Sequence, residues 1–155
     1  MVHANAFLGL DTSRLTVVYF ATLGLDIIGT PLEAKDRDDV VSFIYSLQVS
    51  FLSEEKAPEC NLTGQSGFLG SSYLGLPYSS DGYDLATLSS CLPTSDCHCA
   101  DIPALSSYIQ GHIAMTYCSV LTLHALGDDF SRLNKVSILL GNWSVYMLLS
   151  MLRDM

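Results

Sequence analysis

Apolar residues recur at three- and four-residue steps in four stretches of this chain, two near its start and two near its end, with a long aperiodic segment between them. Leu15, Val18, Tyr19, Leu23 and Ile27 make the first stretch; Thr12 or Ser13 stands where a helix cap belongs, and Gly29 and Pro31 follow. That spacing puts large side chains on one face of a helix of about four turns. Asp36 to Asp39 open the second pattern, Val40, Val41, Phe43, Ile44 and Leu47, which closes near Gln48. Acidic groups suit that end because the first turn carries unpaired N–H groups. A short link rich in breakers predicts that these two helices form an αα-hairpin. Gly111 opens the third pattern, Ile113, Tyr117, Val120, Leu121 and Leu123, stopped by Gly127. Ser131 or Asp129 is placed to cap a fourth, which begins Arg132-Leu133-Asn134-Lys135 and runs on as an apolar helix over 136–155.

Between about 53 and 110 the period disappears and Ser, Gly, Pro, Asp and Tyr dominate, which reads as an unusually long loop. The order is helix, helix, loop, helix, helix, an all-α chain. Repeated helical pairs at long spacing stack into a solenoid or close into a toroid, and each pair needs neighbours to cover its apolar faces. The composition agrees: 49% of residues are hydrophobic and only 15% charged, with mean hydropathy +0.34.

Several function classes are excluded. With seven Lys and Arg against sixteen Asp and Glu, a net charge of −9, no basic patch can be assembled to neutralise phosphates, so nucleic acid is not a partner. The run Leu15 to Ile28 is broken by Asp26, and Val136 to Leu152 by Gly141, Asn142, Trp143 and Ser144, so no membrane span is expected. Five cysteines, an odd number without a secretory leader, read as reduced thiols in the cytoplasm.

Three ordered blocks carry a resemblance. The first is Asp11-Thr12-Ser13-Arg14-Leu15-Thr16 through Gly24-Leu25-Asp26. The second joins Ile44-Tyr45-Ser46-Leu47-Gln48 to Gly67-Phe68-Leu69-Gly70-Ser71-Ser72-Tyr73-Leu74-Gly75. The third is Gly111-His112-Ile113-Ala114-Met115-Thr116-Tyr117 with Leu126-Gly127-Asp128-Asp129. Together they resemble protein prenyltransferase β-subunits, and most of all those of geranylgeranyltransferase type I. The likeness covers roughly residues 10–135, with a departure between about 78 and 110, where this chain is longer. It implies an α/α toroid, paired as a heterodimer with a prenyltransferase α-subunit. The implied reaction moves a geranylgeranyl group from geranylgeranyl diphosphate to the Cys of C-terminal CaaX proteins such as small GTPases, with Leu often at X. The family enzyme uses Zn²⁺, which favours the substrate thiolate.

The resemblance also assigns residues. Thr16 and Phe20 fall in the lipid-pocket block, where a small side chain at Thr16 leaves room for one more isoprene unit. Taken alone, Thr16 reads as a helical threonine bonding its own backbone. His112 and Ala114 fall where the family shapes the pocket for the last side chain of the substrate peptide. Alone, His112 reads as a capping or partly buried polar residue.

Cys91, Cys97, His98 and Cys99 hold soft ligand atoms, but three adjacent residues do not easily turn to one ion, and ordinary loop thiols are the simpler reading. Arg14 and Lys135 invite a diphosphate role, yet Arg14 beside a cap reads more simply as a surface or subunit contact. Asp128-Asp129 reads as a turn and the next cap. No catalytic residue and no metal ligand is identified. The family's zinc-site repeats have no counterpart in these residues, so the chain by itself is expected to be inactive. The alternative is a non-catalytic module that binds the α-subunit or the prenyl lipid.

Overall fold

The computed structural model describes residues 13–50, 66–72, 78–84 and 111–141. Helix α1 spans Arg14–Ile27 and α2 spans Ala34–Ser46. Three short strands follow, β1 (Gln48–Ser50), β2 (Gly67–Phe68) and β3 (Tyr83–Asp84), then helices α3 (Ile113–Ala125) and α4 (Lys135–Gly141). The described residues are mainly helical, and none of their helices is long and apolar enough to cross a membrane. Of the stretch expected as the 136–155 helix, α4 covers the beginning, and residues 142–155 lie outside the described residues.

The helix ends show which expected signals act. Gly29, at φ +71°, closes α1, with the Thr30 N–H bonded to the Leu25 carbonyl. Gly127, at φ +73°, closes α3, with the Asp128 N–H on the Leu123 carbonyl. Both stops fit glycine's freedom at positive φ. The expected caps differ. Ser13 makes no side-chain cap bond to α1; the Leu15 N–H donates instead to the Gly70 carbonyl at 3.0 Å, from a distant part of the chain. For α4 the cap is Asn134, whose Oδ1 accepts the Ser137 N–H at 3.0 Å. Asp129 accepts the Ser131 N–H at 2.9 Å and Asp128 the Phe130 N–H at 2.8 Å, so both stay in the turn, where Phe130 has φ +57°.

The strands form a small sheet of order β2-β1-β3, with β1 antiparallel to β2 and parallel to β3. It lies within an otherwise helical fold, and β2 and β3 fall inside the stretch expected as loop. The Leu47-Gln48 and Gly67-Phe68 pairs are its centre: the Leu69 N–H bonds the Leu47 carbonyl, and Gln48 pairs with Phe68. The Gln48 side chain then reaches the start of α4, its Oε1 accepting the Asn134 N–H at 3.0 Å and its Nε2 donating to the Arg132 carbonyl at 3.4 Å. One side-chain amide therefore satisfies two backbone groups of the next helical unit.

The core collects Leu15, Ile44, Tyr45, Leu47, Val49, Phe68, Leu123 and Ile138. Helix α1 packs chiefly against α3 rather than α2, so the two consecutive helices are not the hairpin their short link suggested. Residues 68–70 explain this arrangement. The Phe68 carbonyl accepts the His112 N–H at 3.1 Å while the Gly70 carbonyl accepts that of Leu15, so one strip of chain crosses the starts of both α3 and α1. The two helices consequently begin at the same end of the molecule and run side by side in the same sense.

The buried faces differ from the expected stripes for the same reason. On α1 Leu15 and Thr22 are buried, whereas Ile27 is 84% exposed. On α3 Ile113 and Tyr117 are each 45% exposed, and the inner face interleaves Thr116, Ser119 and Thr122 with Val120 and Leu123. Short hydroxyl side chains let a neighbouring backbone approach closely while finding acceptors on their own helix: Thr122 Oγ1 donates to the Cys118 carbonyl and Thr116 Oγ1 to that of His112. Ser119 Oγ is buried without a partner.

Candidate pocket wall at the α1–α3 seam

Two glycines allow the seam to form. Gly67, at φ +149°, and Gly111 meet backbone to backbone: a Cβ on Gly111 would sit 2.6 Å from both the N and Cα of Gly67. The Phe68 N–H donates to Thr116 Oγ1 at 3.1 Å, which fixes β2 on the first turn of α3. His112 caps that turn, its Nδ1 accepting the Ala114 N–H at 3.2 Å. Histidine held by its own helix end presents its other ring nitrogen to solvent, and both His112 and Ala114 are exposed.

At the level of that turn Thr16 is half-buried on α1, its Oγ1 donating to Met115 Sδ at 3.4 Å. Thr16 and Ala114 are thus brought to one place by a contact between residues 99 apart in sequence. Three residues further along α1 and two along α3, the Tyr19 ring meets Phe20 edge-on at 5.1 Å and Tyr117 at 6.5 Å between centroids. Phe20 is 68% exposed. Of the four residues the sequence singled out, Thr16 touches the facing helix through Met115, while Phe20 on α1 and His112 and Ala114 at the start of α3 are exposed. Met115, Tyr19 and Tyr117 were missed. Tyr19 and Tyr117 read as members of apolar stripes, and only the pairing of α1 with α3 turns them toward each other.

The seam is apolar and electrically quiet. Burial, then the neighbouring Tyr117 and Cys118, push the Tyr19 hydroxyl above its ordinary range, and burial does the same to the Cys118 thiol. Arg14 and Lys135 are exposed. Among the described residues no three of His, Cys, Asp and Glu converge, so these residues do not fit a zinc ion. Cys91, Cys97, His98 and Cys99 lie outside the described residues.

Behind the seam a polar cluster anchors the turn after α3. The Tyr45 hydroxyl donates to Asp128 Oδ1 at 2.5 Å, and Arg132 stacks on the Tyr45 ring at 4.4 Å. Arg132 also donates to the Ser80 carbonyl at 2.8 Å and pairs with Asp81 at 3.6 Å. Burial first, then the bond to Asp128, holds the Tyr45 hydroxyl far above the usual tyrosine range. A pKa raised on folding gives stability that is whole below the unfolded value, about 10, and is lost as pH rises above it. Melting temperature measured from pH 8 to 11.5 is expected to fall above pH 10, and Tyr45→Phe is expected to flatten that fall while costing about 1 kcal/mol at pH 8. An unchanged alkaline limb in Tyr45→Phe would place the sensitivity elsewhere.

Two comparisons bear on what such a wall belongs to. Residues 2–146 match the family model for the prenyltransferase alpha-alpha toroid domain. This chain belongs to the prenyltransferase toroid family. The geranylgeranyl transferase type-1 subunit beta of Dictyostelium discoideum is 30% identical over 128 residues, covering 82% of this chain and 32% of that relative. The chain thus spans about a third of the length of that relative. In a toroid, helices of one layer lie side by side in the same sense, and α1 and α3 have that relation.

Proposed function

We propose that this chain supplies the lipid- and peptide-facing wall of a β-type subunit of protein geranylgeranyltransferase type I. The observation that supports it most is the Thr16–Met115 contact, which joins α1, the helix bearing the candidate lipid residues Thr16 and Phe20, to α3, whose start bears the candidate peptide residues His112 and Ala114. A transferase joining an isoprenoid to a cysteine must hold both substrates at one wall. The likeness to the Dictyostelium geranylgeranyl transferase subunit supports geranylgeranyl diphosphate as the donor; the resemblance of the three sequence blocks is what suggests a CaaX protein as acceptor and a prenyltransferase α-subunit as partner in the cytoplasm.

In that role the chain's own residues bind and orient. The apolar seam takes the isoprenoid tail out of water, at about 0.8 kcal/mol for each buried methylene. His112, held by the Ala114 N–H, keeps its free ring nitrogen toward the peptide side, and the small Ala114 leaves space for a bulky final side chain. Zinc, when bound in the family enzyme, activates the acceptor thiol; its ligands would come from outside the described residues.

Calorimetry of the full chain with its α-subunit, zinc, geranylgeranyl diphosphate and a CaaX peptide ending in Leu tests the reading. Binding of the diphosphate, tightened by the peptide, is the expected result. Lipid binding without turnover would assign the chain a binding role alone, and absence of lipid binding would overturn the proposal.

A further inference from the structure

We infer that Ser80 is a phosphorylation site, placed so that a phosphate on its hydroxyl is captured by the Arg132 guanidinium and locks residues 78–84 to the turn between α3 and α4. Ser80 stands in an exposed turn just before β3. Its hydroxyl donates to Asp81 Oδ2 at 3.0 Å, and acidic residues follow it in the sequence at one and four positions, Asp81 and Asp84. That charge pattern suits the basic substrate groove of an acidophilic serine kinase. The kinase moves the γ-phosphoryl group of ATP to Ser80 Oγ: the new O–P bond forms, the bond to the ADP oxygen breaks, and a kinase base takes the hydroxyl proton.

The capturing cation is already in place. Arg132 Nη2 donates to the Ser80 carbonyl at 2.8 Å, so the guanidinium lies beside the residue to be modified. Its face rests on the Tyr45 ring at 4.4 Å, which leaves its in-plane N–H groups as donors. Its ionic partner is weak: Asp81 Oδ1 is 3.6 Å away on a side chain that is 86% exposed. A phosphate brings about −1.5 to −2 charge and three strong acceptor oxygens, so it displaces that carboxylate while Arg132 stays on Tyr45. The turn is held from its other side as well. Gly82, at φ +83°, lies so close that a Cβ there would run into the Gln48 carbonyl, and Tyr83 pairs with Val49 of β1. Gln48 Nε2 in turn donates to the Arg132 carbonyl. The phosphate therefore closes a ring of contacts through Ser80, Arg132, Gln48 and Gly82.

The full chain, incubated with ATP and an acidophilic serine kinase and mapped by mass spectrometry, should carry phosphate on Ser80, a site that Ser80→Ala removes. Phosphorus NMR then reads the capture, the Ser80 signal being the one absent in Ser80→Ala. It should titrate at least about half a pH unit lower than in Arg132→Gln, because a neighbouring cation favours the dianion, with Arg132→Lys close to wild type. Hydrogen exchange needs no variant: the amides of 78–84 and 128–132 should slow roughly threefold or more on phosphorylation. A kinase that leaves Ser80 unmodified, a phosphate that titrates alike with and without Arg132, or exchange that fails to slow would overturn the inference.

Discussion

Gly111→Ala is expected to lower the melting temperature by roughly 6–12 °C, an effect of about 3 kcal/mol in a chain of this size. The added methyl would meet the Gly67 N and Cα at 2.6 Å and the Ser66 carbonyl carbon at 2.7 Å. All three are backbone atoms, so no side chain can swing aside. The Gly67 side of the contact cannot retreat either. Its backbone is tied through the Phe68 N–H to Thr116 and through the Phe68 carbonyl to His112, and its φ of +149° suits glycine alone. Relief must separate β2 from the first turn of α3, which breaks both bonds and releases the strip that also caps α1. Gly24→Ala is the control. A Cβ there meets nothing within 4 Å, and in a helix interior the change is expected to stabilise by about 0.5–1 kcal/mol. Thermal melts of the two variants should therefore move in opposite directions, and a common direction would contradict the packing described.

Thr16→Trp is expected to weaken geranylgeranyl diphosphate binding by roughly thirtyfold to a hundredfold while changing farnesyl binding much less. Thr16 occupies a small volume at the seam, with its hydroxyl on Met115. An indole there fills the space beside the next turn, which carries Tyr19 and Phe20. Excluding part of one isoprene repeat forfeits the burial of roughly three carbons, about 2.4 kcal/mol, which converts to a ratio within that range. The substitution is at a half-buried position, so a melting temperature within a few degrees of wild type should accompany the change. Equal weakening of both lipids, or none, would detach Thr16 from chain-length choice.

The helices were legible in the sequence, and their partners were not. Periodicity and breakers placed α1, α2 and α3 to within a few residues, because Gly29 and Gly127 act locally through their own φ angles. The caps depended on long-range contacts. Leu15 takes its carbonyl from Gly70, and α4 takes its amide from Gln48, so no local motif announces either. The same holds for the seam. A stripe count treats Ile27 and Tyr117 as core, yet both are exposed, while Thr116, Ser119 and Thr122 line the buried face. Hydrophobic pattern records how much a side chain gains by burial; close approach of a neighbouring helix selects for shortness instead. The short strands escaped notice because β2 and β3 are two residues each, below any period. The candidate site was legible only as four residues in separate blocks, placed by family likeness. The Thr16–Met115 and Tyr19–Tyr117 contacts across α1 and α3 required the fold.

The central claim is that α1 and α3, side by side and parallel, form the wall against which the prenyl tail lies. A geranylgeranyl diphosphate analogue with a photoreactive group at the end of its tail tests it most directly, with labelled peptides located by mass spectrometry. The account predicts labelling confined to α1 and α3, on Phe20, Tyr19 or Tyr117, and abolished by excess unlabelled lipid. Competable labelling on α2 or on the outward residues of α4, with none on α1 or α3, would contradict it.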